Sequence, residues 1–110
     1  LVADLPANVE AIAAGQLHNC AVDGDGRIWC WGDNYYGQIG NGEGGTNMIE
    51  SSPVVVNDPA NDFIAVAAGS GHSCALRTNG TACCWGDNMS NQVGDTSETT
   101  VPLPLEVPEP

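Results

Sequence analysis

The chain alternates short apolar runs with stretches rich in glycine, asparagine and aspartate, and it does so twice. Ala11-Ile12-Ala13-Ala14 ends at Gly15, and Ala65-Val66-Ala67-Ala68 ends at Gly69. Four residues before a glycine are too few for a stable helix, so both runs read as strands. Alanine and glycine at such positions predict close approach of neighbouring backbones. A hairpin pattern follows each run, over residues 18–34 and again, 54 positions on and without a gap, over residues 72–88. Aligning residues 11–42 on residues 65–96 leaves 15 identities in 32 positions. A fixed period of this length is the mark of a repeat architecture.

Residues 32–52 are rich in Gly, Asn and Asp and read as an ordered but irregular connection. Residues 53–56 predict a fourth strand, with Pro53 first, where a ladder donor is dispensable. In the second repeat, residues 86–100 are the connection and residues 102–107 the strand. Pro104 interrupts that strand and predicts an edge. Residues 107–110, Val-Pro-Glu-Pro, read as a polyproline-like end. Measured from Gly40 to Pro53 and from Gly94 to Pro102, the first connection is five residues longer. Extra residues in one repeat usually sit in loops on one face, so Glu43, Thr46, Asn47, Met48 and Ile49 are a candidate interaction loop. The predicted organisation is all-β. Residues 1–10 are the tail strand of a preceding repeat, 11–64 the first four-stranded antiparallel blade and 65–110 the second.

The turns set the register. Gly24-Asp25-Gly26 is a three-residue loop whose last position needs positive φ, and Thr78-Asn79-Gly80 repeats it with Gly80 in the same place. Asp23 then faces Arg27, Cys20 faces Cys30, and Cys74 faces Cys84. Facing residues on antiparallel strands lie within disulfide range, which predicts two cross-strand bridges, Cys20–Cys30 and Cys74–Cys84. The rival reading is zinc, with His18, Cys20 and Cys30 as three ligands on one face. The spacing lacks the paired Cys-x2-Cys knuckles of strong zinc motifs. No metal or other cofactor is therefore expected.

Composition sharpens this picture. At 110 residues, with three Trp, two Tyr and one Phe, the core is thin, and covalent staples would help it. The net charge is −12, with no lysine and only Arg27 and Arg77 as strong bases. Nucleic acid is bound by neutralising phosphates, so DNA, RNA and anionic lipid are expected to be repelled. Five cysteines in a small acidic chain predict an oxidising, secreted or extracellular setting. No apolar run approaches the ~18 residues of a membrane span. No signal peptide is visible and the chain starts at Leu1, so a mature product or a fragment of something longer is expected.

The motifs recur in order. Ala14-Gly15, His18, Cys20-Ala21, Trp31-Gly32-Asp33-Asn34, Gln38-Ile39-Gly40 and Pro53 return as Ala68-Gly69, His72, Cys74-Ala75, Trp85-Gly86-Asp87-Asn88, Gln92-Val93-Gly94 and Pro102. This series resembles the regulator-of-chromosome-condensation repeat over nearly the whole chain. The resemblance implies a propeller blade of four antiparallel strands per repeat, with usually seven blades in a closed ring, and the cysteine-bearing form is similar to secreted prokaryotic members. Two blades cannot close a propeller, which needs at least four. Further blades, from the same chain or from other copies docking head to tail, are expected to cover the flanks.

The remaining candidate residues favour structure over chemistry. His18 and His72 hold equal places, and an active site seldom comes in two identical copies; a histidine hydrogen-bonded within its blade is expected. Trp31 and Trp85 are expected to pack at blade–blade contacts. Asp23-Gly24-Asp25-Gly26 is similar to a calcium loop but lacks the glutamate of an EF-hand. Cys83 is the odd thiol, either buried and free or bonded to another chain. Asn79 and Asn88 are glycosylation acceptors by pattern. No nucleophile–base pair and no phosphate loop is visible. The expected function is a non-enzymatic extracellular structural or protein-interaction module. The alternatives are a self-assembling subunit of a ring or fibre, a secreted inhibitor propeller and, more distantly, a nucleotide-exchange propeller for a small GTPase.

Overall fold

The computed structural model describes residue 5 and residues 8–45, 48–58, 60–89, 93 and 99–107. Blade 1 holds β1 (Val9–Ala14), β2 (His18–Asp23), β3 (Ile28–Asp33) and β4 (Ile49–Val55). Blade 2 holds β5 (Phe63–Ala68), β6 (His72–Arg77), β7 (Ala82–Asp87) and β8 (Thr100–Val107). Each blade is one antiparallel sheet in sequence order, β1-β2-β3-β4 and β5-β6-β7-β8. No described residue is helical.

The hairpins take the register that their turns require. Gly26 has φ 82° and Gly80 φ 88°, and the amide of each bonds back to the carbonyl of Asp23 or Arg77. Cys20 lies opposite Cys30 and Cys74 opposite Cys84. Both pairs are disulfides, with Cα separations of 4.1 and 4.0 Å.

Strand edges depart from the sequence reading at both ends of each blade. β1 starts at Val9 and β5 at Phe63, two residues before the expected boundaries at 11 and 65. In each, the register shifts by one residue, Val9 facing Asp23 while Ala11 faces Val22, and Phe63 facing Arg77 while Ala65 faces Leu76. The extra residue, Glu10 or Ile64, breaks the alternation that would have revealed the strand. Val9 and Glu10 therefore belong to blade 1 rather than to a preceding tail. Residues 1–4 and the polyproline-like residues 108–110 lie outside the described residues.

The outer strands also begin early. β4 starts at Ile49, inside the expected connection, and β8 starts at Thr100. Pro53 is not first in its strand; it sits where the ladder breaks, between Val54 opposite Cys30 and Glu50 opposite Gly32. Pro102 and Pro104 occupy the same break, between Leu105 opposite Cys84 and Val101 opposite Gly86. A break in the ladder is a place that tolerates a missing N–H. Pairing thus makes Pro104, not Pro102, the counterpart of Pro53. From Asp33 to its partner Ile49 is 16 positions and from Asp87 to Thr100 is 13, so the first connection is longer by three residues, not five.

The connection after β3 is ordered by its own side chains. Asn34, fully buried, donates from Nδ2 to Asn41 Oδ1 and the Glu43 carbonyl and accepts the Ile39 N–H at 3.1 Å. It then lies across blade 2, where the Gly42 N–H donates to the Pro102 carbonyl at 3.0 Å. β5 packs on β1 and β2. The core that results lies between the sheets, from Cys20, Val22, Ile28, Cys30 and Ile39 on one side to Phe63, Ala75, Cys83 and Trp85 on the other.

Candidate functional site

Alternation along the strands gives each blade two faces. In blade 1, Ala11, Ala13, Cys20, Val22 and Ile28 share the trailing face, which blade 2 covers over β2 and β3 while Ala11 stays exposed. Val22 and Ile28 are 1% exposed there, and both cysteines are fully buried. In blade 2, Ala65, Ala67, Cys74, Leu76 and Ala82 hold the same places. They line an open depression of about 220 Å³, with Leu76 38% exposed.

A short polar seam joins the covered faces. Ser73 Oγ donates to the Gln38 carbonyl at 2.9 Å and lies 2.9 Å from His18 Nε2. The hydroxyl has one proton, and the carbonyl has none to give. His18 Nε2 therefore supplies the proton of the second bond, and in the neutral ring Nδ1 then carries none. That atom is buried without a hydrogen-bond partner. The Trp85 indole N–H donates to the same Gln38 carbonyl at 2.8 Å. The His18 ring lies against Gly15, where a Cβ would meet ring atoms at 2.7 Å, and His72 lies on Gly69 in the same way. Burial holds the His18 pKa below the ordinary imidazole value, and the neighbouring His72 adds to this.

Several sequence expectations change here. The His18 bond runs between blades, not within one. Trp85 fills the blade contact and is fully buried, whereas Trp31 lies half-buried on the leading face of blade 1, against no blade among the described residues. Gly32 and Gly86 face His18 and His72 in their ladders. Ser73 was not singled out by the sequence reading; its only sign was a polar residue in each copy, Asn19 and Ser73, directly after the histidine.

The hairpin corners differ between the blades. The Asp23 carboxylate takes donors from the amides of Asp25 and Arg27, the Arg27 Nε and the Trp29 indole N–H, all at 2.9–3.0 Å. A turn stapled in this way uses every residue of the calcium-like sequence. The same position in blade 2 is Arg77. It clasps Asp58 with two bonds, at 2.7 and 2.9 Å, binds Asp62, and stacks 4.4 Å over the Phe63 ring. Bonding to Arg77 holds the Asp58 carboxyl below its usual range, and bonding to Asp58 raises the Arg77 pKa. Cys83 replaces Trp29. It is a free thiol, 2% exposed, raised in pKa by burial, and in that position it cannot reach another chain.

Asn79 stands exposed at its hairpin tip. Asn88, by contrast, is 3% exposed and its Oδ1 accepts the Val93 N–H, which puts its amide out of reach of a glycosylating enzyme in the folded chain. Ser90 of that pattern lies outside the described residues, as do Gln92 and Gly94. In the candidate loop, Glu43 is exposed, Met48 is 38% exposed, Thr46 and Asn47 lie outside the described residues, and Ile49 belongs to β4 with its side chain 69% exposed. Among the described residues no group of three or more His, Cys, Asp or Glu is placed to hold a metal ion.

Two four-stranded antiparallel sheets, stacked face to face and repeating one motif series, define a β-propeller-type repeat protein. The sequence profile of the regulator of chromosome condensation (RCC1) repeat matches residues 25–76, and a second profile of the same description matches 9–38 and 63–92. The chain belongs to the RCC1 repeat family. It is 31% identical over 86 residues to a Protein RCC2 homolog of Danio rerio, covering 78% of this chain and 17% of that protein. Prp20p of Saccharomyces cerevisiae, solved together with a description of its binding to Gsp1p and histones, superposes with a TM-score of 0.82 at 28% identity, over 96% of this chain and 27% of that one. Human WBSCR16 gives 0.80 at 25% identity, over 94% and 26%. The chain thus spans about a quarter or less of these relatives.

Proposed function

We propose that the two blades are a non-enzymatic protein-interaction unit of an RCC1-type propeller, and that the trailing face of blade 2 is where protein docks. One observation carries this reading: Cys20, Val22 and Ile28, which blade 1 buries under its neighbour, recur in blade 2 as Cys74, Leu76 and Ala82 in an open apolar depression. Covering a residue such as leucine stabilises by about 1.5–3 kcal/mol, so a protein surface of matching shape is favoured there. The binding of Gsp1p and histones described for Prp20p supports protein recognition as a use of this fold. Two disulfides support an oxidising, extracellular setting, because the cytosol keeps such pairs reduced.

The test is to supply a follower. A chain in which residues 63–107 are repeated once more after residue 110 is expected to unfold at a higher temperature than the original. The β6 amides of the original blade 2 should also gain protection from hydrogen exchange. A third blade that raises neither contradicts the reading.

A further inference from the structure

The seam between the blades works as a recipe, and blade 1 carries the ingredients on its other face. The incoming side supplies one side chain that both accepts from a histidine and donates to a carbonyl, Ser73, together with one indole N–H, Trp85. On the leading face of blade 1, Asn19 faces Trp31 just as Ser73 faces Trp85. An asparagine amide offers an acceptor and a donor at once, and so can fill both roles of the serine. Ile12 holds the place of Val66; Val66 packs on the inter-blade core, whereas Ile12 is 61% exposed. On the receiving side, blade 2 repeats the histidine and the apolar rim, while Gln92, the counterpart of Gln38, lies outside the described residues. His72 sits on Gly69 as His18 sits on Gly15, and Leu76 rims the open depression.

We propose that blade 1 of a second copy docks on the trailing face of blade 2, with Asn19, Trp31 and Ile12 taking the places of Ser73, Trp85 and Val66. This rests on the reading of that face as a docking surface and names its occupant. The contact is heterologous: each copy uses one face to give and the other to receive, so association continues to a closed ring or an open series. A net charge of −12 on each copy opposes the contact, so raised salt strengthens it.

Sedimentation velocity of the full chain over a wide concentration range, at low and raised salt, tests this. The expected result is larger species that grow with concentration and with salt. Ile12→Glu spoils the giving face and Leu76→Glu the receiving face. Both side chains are exposed, so the fold is expected to survive, which intact disulfides and an unchanged near-ultraviolet spectrum would verify. Each variant alone should stay monomeric, while a mixture of the two should form one-to-one pairs and stop there, since each keeps the face that the other lacks. A wild-type chain monomeric at every concentration, variants that still assemble alone, or a mixture that stays monomeric overturns the proposal. If the chain is monomeric yet gains stability from a fused third blade, the docking face stands and its occupant is a blade of the same chain.

Discussion

Blades 1 and 2 share a backbone plan down to the break in the outer ladder, yet they bury different things. The Cys20–Cys30 bridge lies inside the contact between sheets, whereas the Cys74–Cys84 bridge faces the open side, with Cys74 only half-buried. Trp85 is fully buried, while Trp31, at the same register, is half-buried. The lesson is that burial in a repeat protein is set by neighbours rather than by the repeat itself.

The tryptophans give the sharpest way to break this comparison. Trp85→Ala removes a buried indole and its bond to Gln38, and is expected to cost about 3–5 kcal/mol in urea unfolding, whereas Trp31→Ala should cost less than half as much. Equal costs would mean that the two faces do not differ. The disulfides come next. Replacing either pair by alanine is expected to cost about 2–3 kcal/mol through loop closure, with the Cys20–Cys30 pair at the upper end because its sulfurs also pack in the inter-blade core.

The hairpin corners sharpen the comparison further. Arg77→Ala leaves Asp58, 7% exposed, without its partner and strips the Phe63 ring, and is expected to destabilise by about 2–3 kcal/mol. Arg27→Ala acts at a side chain 38% exposed, and its loss is expected to stay within about 1 kcal/mol. Urea midpoints of the two variants decide it. Asp58 also sets an acid limit. Its pKa is lowered in the fold, so its contribution is present above the unfolded value near 4 and is lost as pH falls through the folded one.

The smallest expected effect lies in the histidines. His18 has a lowered pKa in the fold, so the neutral ring is favoured there, and the stability it contributes is present above about pH 6.5 and is lost as pH falls below that value. His18→Gln should remove this part of the pH dependence, read as a flatter stability profile between neutral pH and pH 5. His72→Gln should leave most of it.

Legibility in the sequence followed the range of the interactions. The hairpins and the sulfur pairing could be read because a glycine at the turn fixes everything that faces across it. Single extra residues, Glu10 and Ile64, hide the strand starts, and the sequence reads the loop-length difference as five residues rather than three because Pro102 stands before Pro104 and only cross-strand pairing tells them apart. The seam is legible only in part: Trp85 is expected at a blade contact and stands there, but the serine is hidden. Ser73 meets His18 across 55 positions of chain, and no local pattern distinguishes a serine that bridges two blades from one that faces water. Asn88 reads as an acceptor by pattern alone, and a three-residue pattern carries no information on burial.

The unequal covering of two equal faces is tested most directly by the order in which the disulfides are reduced. The folded chain, kept dilute enough to be monomeric, is exposed to a small reductant for increasing times, alkylated and mapped by mass spectrometry. Cys74–Cys84 is predicted to open first, with Cys20–Cys30 protected until the blades part. Simultaneous opening, or Cys20–Cys30 opening first, would contradict the account.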